Sequence, residues 1–213
     1  MADLIFYTNP MSRGRIARWM LEETGAAYDT VLLRYGPEMQ SDDYKAINPM
    51  MKVPAIVHDG KTVTECGAIC AYLADAFPDS GLAPLPQERA DYYRWMFFAA
   101  GPWEQASTNK AMGFEAQAEH SGMAGYGDFD RTLATFSSIL EDRPYICGDR
   151  FTAVDVYAGS QIAWGVQFGS IPATPPLKDY IARGAARPAF QRATAKDDAE
   201  MDGYGPETLP ANA

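Results

Sequence analysis

Histidine is scarce in this 213-residue chain, with only His58 and His120 present. They stand far apart, which argues against a zinc site or a histidine-based relay, and no metal is expected. Cysteine is nearly as rare. Cys66, Cys70 and Cys147 form no C-x-x-C, and an odd count without such a pair fits free thiols in a reducing compartment. A cytoplasmic location is the expectation. Basic residues are outnumbered, 18 Lys and Arg against 28 Asp and Glu, for a formal net charge of −10. That sign argues against nucleic acid and against an anionic membrane face. Long apolar runs are missing too. Leu4 to Tyr7 is too short for a signal core, and no stretch approaches a bilayer span. Neither G-x-G-x-x-G nor a P-loop occurs, so no nucleotide cofactor is expected. What is present suits a packed protein: 47% hydrophobic and 22% charged residues.

The first third alternates strand and helix signals. Leu4 to Thr8 is β-rich, and Asn9-Pro10 turns the chain. A helical pattern follows, with Ile16, Trp19 and Met20 on one face, until Gly25 stops it. Tyr28 to Leu33 reads as a strand, and Asp43 to Ile47 as one or two helical turns. Val53 to His58 and Thr62-Val63 flank Asp59-Gly60, a hairpin signal. Glu65 to Phe77 is helical again. The order βαβ-α-ββα implies a mixed sheet covered by helices, an α/β domain over 1–78.

Pro78 to Pro86 is rich in Pro and Gly, giving a linker over 79–86. Beyond it strand signals nearly vanish, so 87–196 reads as an all-helical domain. Helices are expected over Arg89–Ala100, with a kink or break at Gly101-Pro102, then over Asp128–Leu140, from Thr152, over Leu177–Ala186 and from Arg187-Pro188. Thr152 and Asp155 form an Asp version of the capping box, with Phe151 and Val156 at the staple positions. Residues 197–213 read as an extended tail.

Three features could carry chemistry. Val53-Pro54 sits between strand-like runs, and proline there belongs at an edge or bend. It is either an ordinary edge proline or, with a cis bond, the place where an extended peptide pairs with Val53 as an added strand. Glu65-Cys66 opens a helix, where amides and the helix dipole attract a carboxylate while Glu65 could hold an ammonium; simple N-terminal charge compensation is the other reading. Ser12 opens the first helix and is either its N-cap or a donor to a ligand thiolate. Each unit taken off a thiol's ordinary value near 8.5 needs about 1.4 kcal/mol of preference for the anion. One charge-assisted hydrogen bond plus a helix N-terminus is of that size.

Ser12-Arg13-Gly14-Arg15, Asn48 to Ile56, Thr64 to Ile69, Gly148 to Asp155 and Arg187-Pro188-Ala189-Phe190 together resemble the cytosolic glutathione transferases of bacterial type, over nearly the full chain. The resemblance implies a thioredoxin-like N-terminal domain, an all-α C-terminal helical domain and a homodimer. It implies glutathione as cosubstrate, activated by Ser12, with Tyr7, Thr8 and Asn9 as rivals. Val53, beside Pro54, matches the residue pairing with the cysteinyl part. Glu65 and Cys66 match the holders of the γ-glutamyl end, with cysteine where the family usually has serine. Lys52 sits where a polar side chain often meets the glycyl carboxylate, and Asp155 matches a structural acid.

Arg13, Arg15 and Arg18 either steer anionic glutathione or form a solvated helix face. A small hydrophobic electrophile is expected in a pocket between the domains, with Met11, Phe98 and Trp164 reaching it. Conjugation, a detoxification chemistry, is the activity implied. Glutathione-dependent reductase or peroxidase, isomerase or ether-cleaving activity and non-catalytic binding are the alternatives. A dithiol oxidoreductase is excluded because Ser12 stands where a redox cysteine is needed.

Overall fold

A computed structural model describes residues 3–114, 116–202 and 204. The chain groups into two compact units. One is built from the described residues up to 83 together with those from 186 onward, and the other spans Pro84–Ala185.

The first unit holds a four-stranded sheet in the order β2-β1-β3-β4. Its strands are β1 (Leu4–Thr8), β2 (Asp29–Leu32), β3 (Ala55–His58) and β4 (Lys61–Thr64). β1 runs parallel to β2, as a right-handed crossover through α1 (Gly14–Thr24) requires, and antiparallel to β3. β3 and β4 form the expected hairpin, with Asp59 and Gly60 both at positive φ. α2 (Asp42–Ile47) follows β2, and α3 (Cys66–Ala76) follows β4. Leu4, Phe6 and Thr8 alternate inward along β1, and Phe6 is buried as are Ile16 and Met20 of α1 and Ile69 and Leu73 of α3. Gly25 takes φ +70 and ends α1.

The second unit contains α4 (Arg89–Phe98), α5 (Glu104–Met112), α6 (Phe129–Ser137), α7 (Ala153–Gln167) and α8 (Pro175–Ala185). At Gly101-Pro102 the α-helix is interrupted without the chain leaving helical structure. Ala99–Trp103 forms a π-helical turn that leads directly into α5. The wider turn accommodates the amide that Pro102 lacks. α5 itself was not expected from the sequence, because of its residues only Ala106 is buried and no apolar stripe marks it. α7 is buried all round from Ala153 to Ile162 and forms the centre of the unit. Gly159 is required there, since a Cβ would stand 2.3 Å from the Tyr180 hydroxyl of α8.

The capping box is present: Thr152 N–H donates to Asp155 Oδ2 at 2.9 Å, and the Thr152 side chain accepts from the third helical amide. Asp155 also accepts from Ile146 N–H at 2.8 Å and from Tyr180 Oη at 3.0 Å. Burial pushes its carboxyl up to about 6, against those hydrogen bonds.

The last helix corrects the sequence-based boundaries. α9 (Pro188–Ala199) groups with the first unit rather than with a helical domain over 87–196, and it carries the chain beyond 197, where an extended tail was expected. The reason is a seam with α1. Trp19 and Phe190 meet edge to face at 4.9 Å, and Arg187 forks onto Glu23 at 2.6 and 2.8 Å. Glu22 accepts from Arg192 at 3.0 Å and from Lys196 and Tyr28. Burial alone would raise the Glu22 carboxyl, but these three donors outweigh it and hold it below its ordinary value.

Arg18 and Arg15 belong to the same seam. Arg18 is 1% exposed, donates to Asp197 at 2.8 Å and to Glu200, and lies over the Phe6 ring. Arg15 pairs with Asp198 at 2.9 Å. Neither reading of these two from sequence, ligand steering or a solvated face, describes a buried or paired side chain that joins two helices. The tail residues 203 and 205–213 lie outside the described residues.

Candidate functional site

The peptide bond Val53-Pro54 is cis. The β1–β3 ladder runs from Leu4–His58 to Tyr7–Ala55, so Val53 lies two residues past its last pair. Among the described residues neither the N–H nor the C=O of Val53 has a backbone partner. The segment before it is anchored by groups that sequence reasoning passed over. Lys52 C=O accepts from Tyr44 Oη at 2.6 Å and from Asn48 Nδ2 at 2.7 Å, while the Lys52 side chain is exposed. The Asn-Pro turn signal was visible, but its grip on residue 52 was not.

Glu65 stands directly before α3 with φ +65, a left-handed conformation that a non-glycine residue adopts at a cost of about 1–2 kcal/mol. Its side chain is exposed and makes no intramolecular hydrogen bond or ion pair among the described residues. Cys66, the first residue of α3, is buried, and its thiol donates to Arg13 C=O at 3.6 Å. That contact ties the start of α3 to the start of α1. Cys70, buried behind Cys66, is a core thiol, and burial raises it well above the usual range.

Ser12 precedes α1. Its hydroxyl donates to Asn9 C=O at 2.7 Å and accepts from Gly14 N–H at 2.9 Å. Asn9 C=O also receives Ser12 N–H at 3.1 Å, so it stays satisfied if the hydroxyl proton swings away. The rivals have other engagements. Asn9 is 1% exposed; its amide donates to Leu33 C=O at 2.8 Å and accepts from Met11 N–H at 2.8 Å. Tyr7 packs its ring against Tyr44 at 5.6 Å. Thr8 is buried, its hydroxyl lacks a partner among the described residues, and it lies so near Gly14 that a Cβ there would stand 1.9 Å away.

A further hydroxyl, Tyr35, reaches this place from the turn after β2. Its oxygen lies 3.4 Å from the C=O of Met11, the residue before Ser12. Burial raises the phenol above its ordinary value, while the nearby Arg13 guanidinium and Ser12 pull it back. Sequence offered no periodic signal for Tyr35, which stands in an Arg-Tyr-Gly-Pro turn.

The residues expected to meet an electrophile are placed within their own units. Met11 is exposed in the turn before α1. Phe98 packs on Trp95 and Phe136, and Trp164 is half-buried on α7. His58 stacks on Phe77 at 5.4 Å and meets Tyr72 Oη at 2.9 Å, a packing role. Among the described residues no group of three or more His, Cys, Asp or Glu could hold a metal ion, and no helix is long and apolar enough to cross a membrane.

A βαβ-α-ββα sheet with a cis-proline edge, followed by a helical unit, defines a thioredoxin-like protein with an all-helical extension. Family comparison sharpens that class. The glutathione S-transferase N-terminal domain matches residues 2–75, and the corresponding C-terminal domain matches residues 114–183. Glutathione S-transferase GstA of Escherichia coli O157:H7 is 30% identical over 165 residues, covering 73% of this chain and 79% of the relative. Glutathione S-transferase 1 of Schizosaccharomyces pombe is 29% identical over 156 residues, covering 68% of this chain and 66% of the relative. A glutathione transferase homologue from Sulfitobacter, solved with bound glutathione, superposes with a TM-score of 0.73 at 25% identity, over 94% of this chain and 100% of that one. The chain belongs to the glutathione S-transferase family.

Proposed function

We propose that the protein is a glutathione transferase that ionises glutathione in its first unit and directs the thiolate at a hydrophobic electrophile. The observation that carries this reading is the 3.6 Å contact from Cys66 Sγ to Arg13 C=O, which supports a single site made from the starts of α1 and α3. The free backbone of Val53 suits the cysteinyl amide of glutathione as an added strand. Glu65 supplies a carboxylate for the γ-glutamyl ammonium, and the α3 amides from Cys66 suit the γ-glutamyl carboxylate. Lys52 offers a cation to the glycyl carboxylate. Ser12 turns its proton from Asn9 C=O to the sulfur; the thiol proton leaves to water, and the thiolate then forms the new bond to carbon as the carbon–halogen bond of an aryl halide breaks and the halide leaves with its electron pair. The protein thus positions and stabilises a nucleophile that belongs to its cosubstrate.

The reading extends to a homodimer in the cytoplasm, supported by three unpaired cysteines and by Phe97, 71% exposed, one turn after the exposed Tyr93 on α4.

Isothermal titration with glutathione tests binding; no heat of binding sinks the reading. Ser12→Ala is expected to keep the affinity and slow conjugation of an aryl halide about tenfold, the value of one charge-assisted hydrogen bond. Unchanged turnover would move the role to Tyr7 or Asn9. Turnover of a peroxide, a disulfide, an isomerisable double bond or an aryl ether in place of the halide would select the other glutathione-dependent chemistries. Binding without any turnover would select a non-catalytic role.

A further inference from the structure

We propose that Tyr35 is a second catalytic hydroxyl, one that donates to the glutathione thiolate alongside Ser12. This inference rests on the glutathione reading above and assigns a further residue to it.

Three observations lead to it. The Ser12 hydroxyl is engaged on both sides, donating at 2.7 Å to Asn9 C=O and accepting at 2.9 Å from Gly14 N–H. Releasing its proton to a ligand therefore breaks a good hydrogen bond. Tyr35 carries no such cost. Its proton faces Met11 C=O at 3.4 Å, longer than an O–H···O bond of ordinary strength. Met11 directly precedes Ser12, and Ser12 lowers the Tyr35 phenol, so the two hydroxyls stand at one place, the head of α1.

The chemistry favours a phenol for this task. Both hydroxyls must keep their protons and only share them, since the thiol proton leaves to water. A phenol, ordinarily near 10, is more acidic than a serine hydroxyl and makes the stronger hydrogen bond to an anion. Burial keeps Tyr35 protonated, its phenol lying above the ordinary value, so it does not compete with the thiol for the negative charge. Arg13, exposed beside it, adds positive potential on the same side. Ser12 can then turn its proton from Asn9 C=O to the sulfur, with Tyr35 as a second donor to the same thiolate.

The test uses the full chain and Tyr35→Phe, which keeps the ring and removes the hydroxyl. Thiolate absorbance of bound glutathione, followed against pH at saturation, gives the apparent thiol pKa in the site. Wild type should hold it at least one unit below free glutathione. Tyr35→Phe should raise it by about one unit, lower kcat at neutral pH about tenfold, and recover most of that rate as pH rises. The thermal midpoint should not move, which separates the effect from a structural one. Tyr35→Phe with an unchanged thiol pKa overturns the proposal, whether or not affinity falls. Loss of glutathione binding altogether also overturns it, by making Tyr35 part of the binding wall. If wild type itself fails to bind glutathione, the proposed function fails first, and the titration of wild type alone reveals that.

Discussion

Glu65 pays twice for its position: it holds a left-handed backbone at φ +65, and it points a carboxylate into solvent with no partner among the described residues. In the proposed site that carboxylate faces the γ-glutamyl ammonium of glutathione. Glycine removes the backbone penalty and alanine keeps it, while both delete the carboxylate. Glu65→Gly should therefore be more stable than Glu65→Ala by about 1 kcal/mol in urea unfolding. Both should weaken glutathione about tenfold or more by titration. Equal stabilities would remove strain from the account; undiminished affinity would remove the carboxylate. Residue chemistry of this kind was half legible in sequence. Glu65, Cys66 and Ser12 stood out because they open helices, where anion and thiolate binding have a physical reason. Tyr35, Tyr44 and Asn48 did not, because turns carry no periodicity and their partners are backbone oxygens.

Among the elements, the α1–α9 seam has the densest charge pairing described. Glu22 sits at its middle, where burial pushes its carboxyl up but Lys196, Tyr28 and Arg192 hold it below its ordinary value. The sign follows from linkage. A carboxyl depressed in the folded state contributes stability above its unfolded value of 4.5, and loses it as pH falls through the folded value. Glu22→Gln should cost about 1–2 kcal/mol at pH 7, and the difference from wild type should shrink steadily below pH 4.5. Urea unfolding at a series of pH values measures this; a cost independent of pH would show that the side chain acts by shape alone. The seam was invisible in sequence for a simple reason. Arg18 and Asp197 are 179 residues apart, and charge spacing within a helix says nothing about a partner that distant. The strands and the Asp-Gly hairpin were legible because their signals are local. α5 was missed because its burial is confined to Ala106.

For the molecule as a whole, the prediction concerns assembly. Tyr93 and Phe97 present two aromatic rings to solvent one helical turn apart, more apolar surface than a lone exposed side chain leaves. In the proposed homodimer they are covered. Phe97→Glu should shift the light-scattering mass at micromolar concentration from dimer towards monomer, with the far-ultraviolet spectrum unchanged. A wild-type mass of one chain would end the proposal.

The docking of α9 also sets an order of events during synthesis. Arg18 emerges from the ribosome 179 residues before Asp197. Until then the guanidinium that ends 1% exposed must stay in water, and the sheet unit lacks one wall. Pro84–Ala185, by contrast, is continuous in sequence and can complete its own contacts as it appears. The helical unit is thus inserted, in time as in sequence, into a sheet unit that closes last. A chain released before α9 would leave Arg15, Arg18, Glu22 and Glu23 of α1 without the partners that the last helix brings.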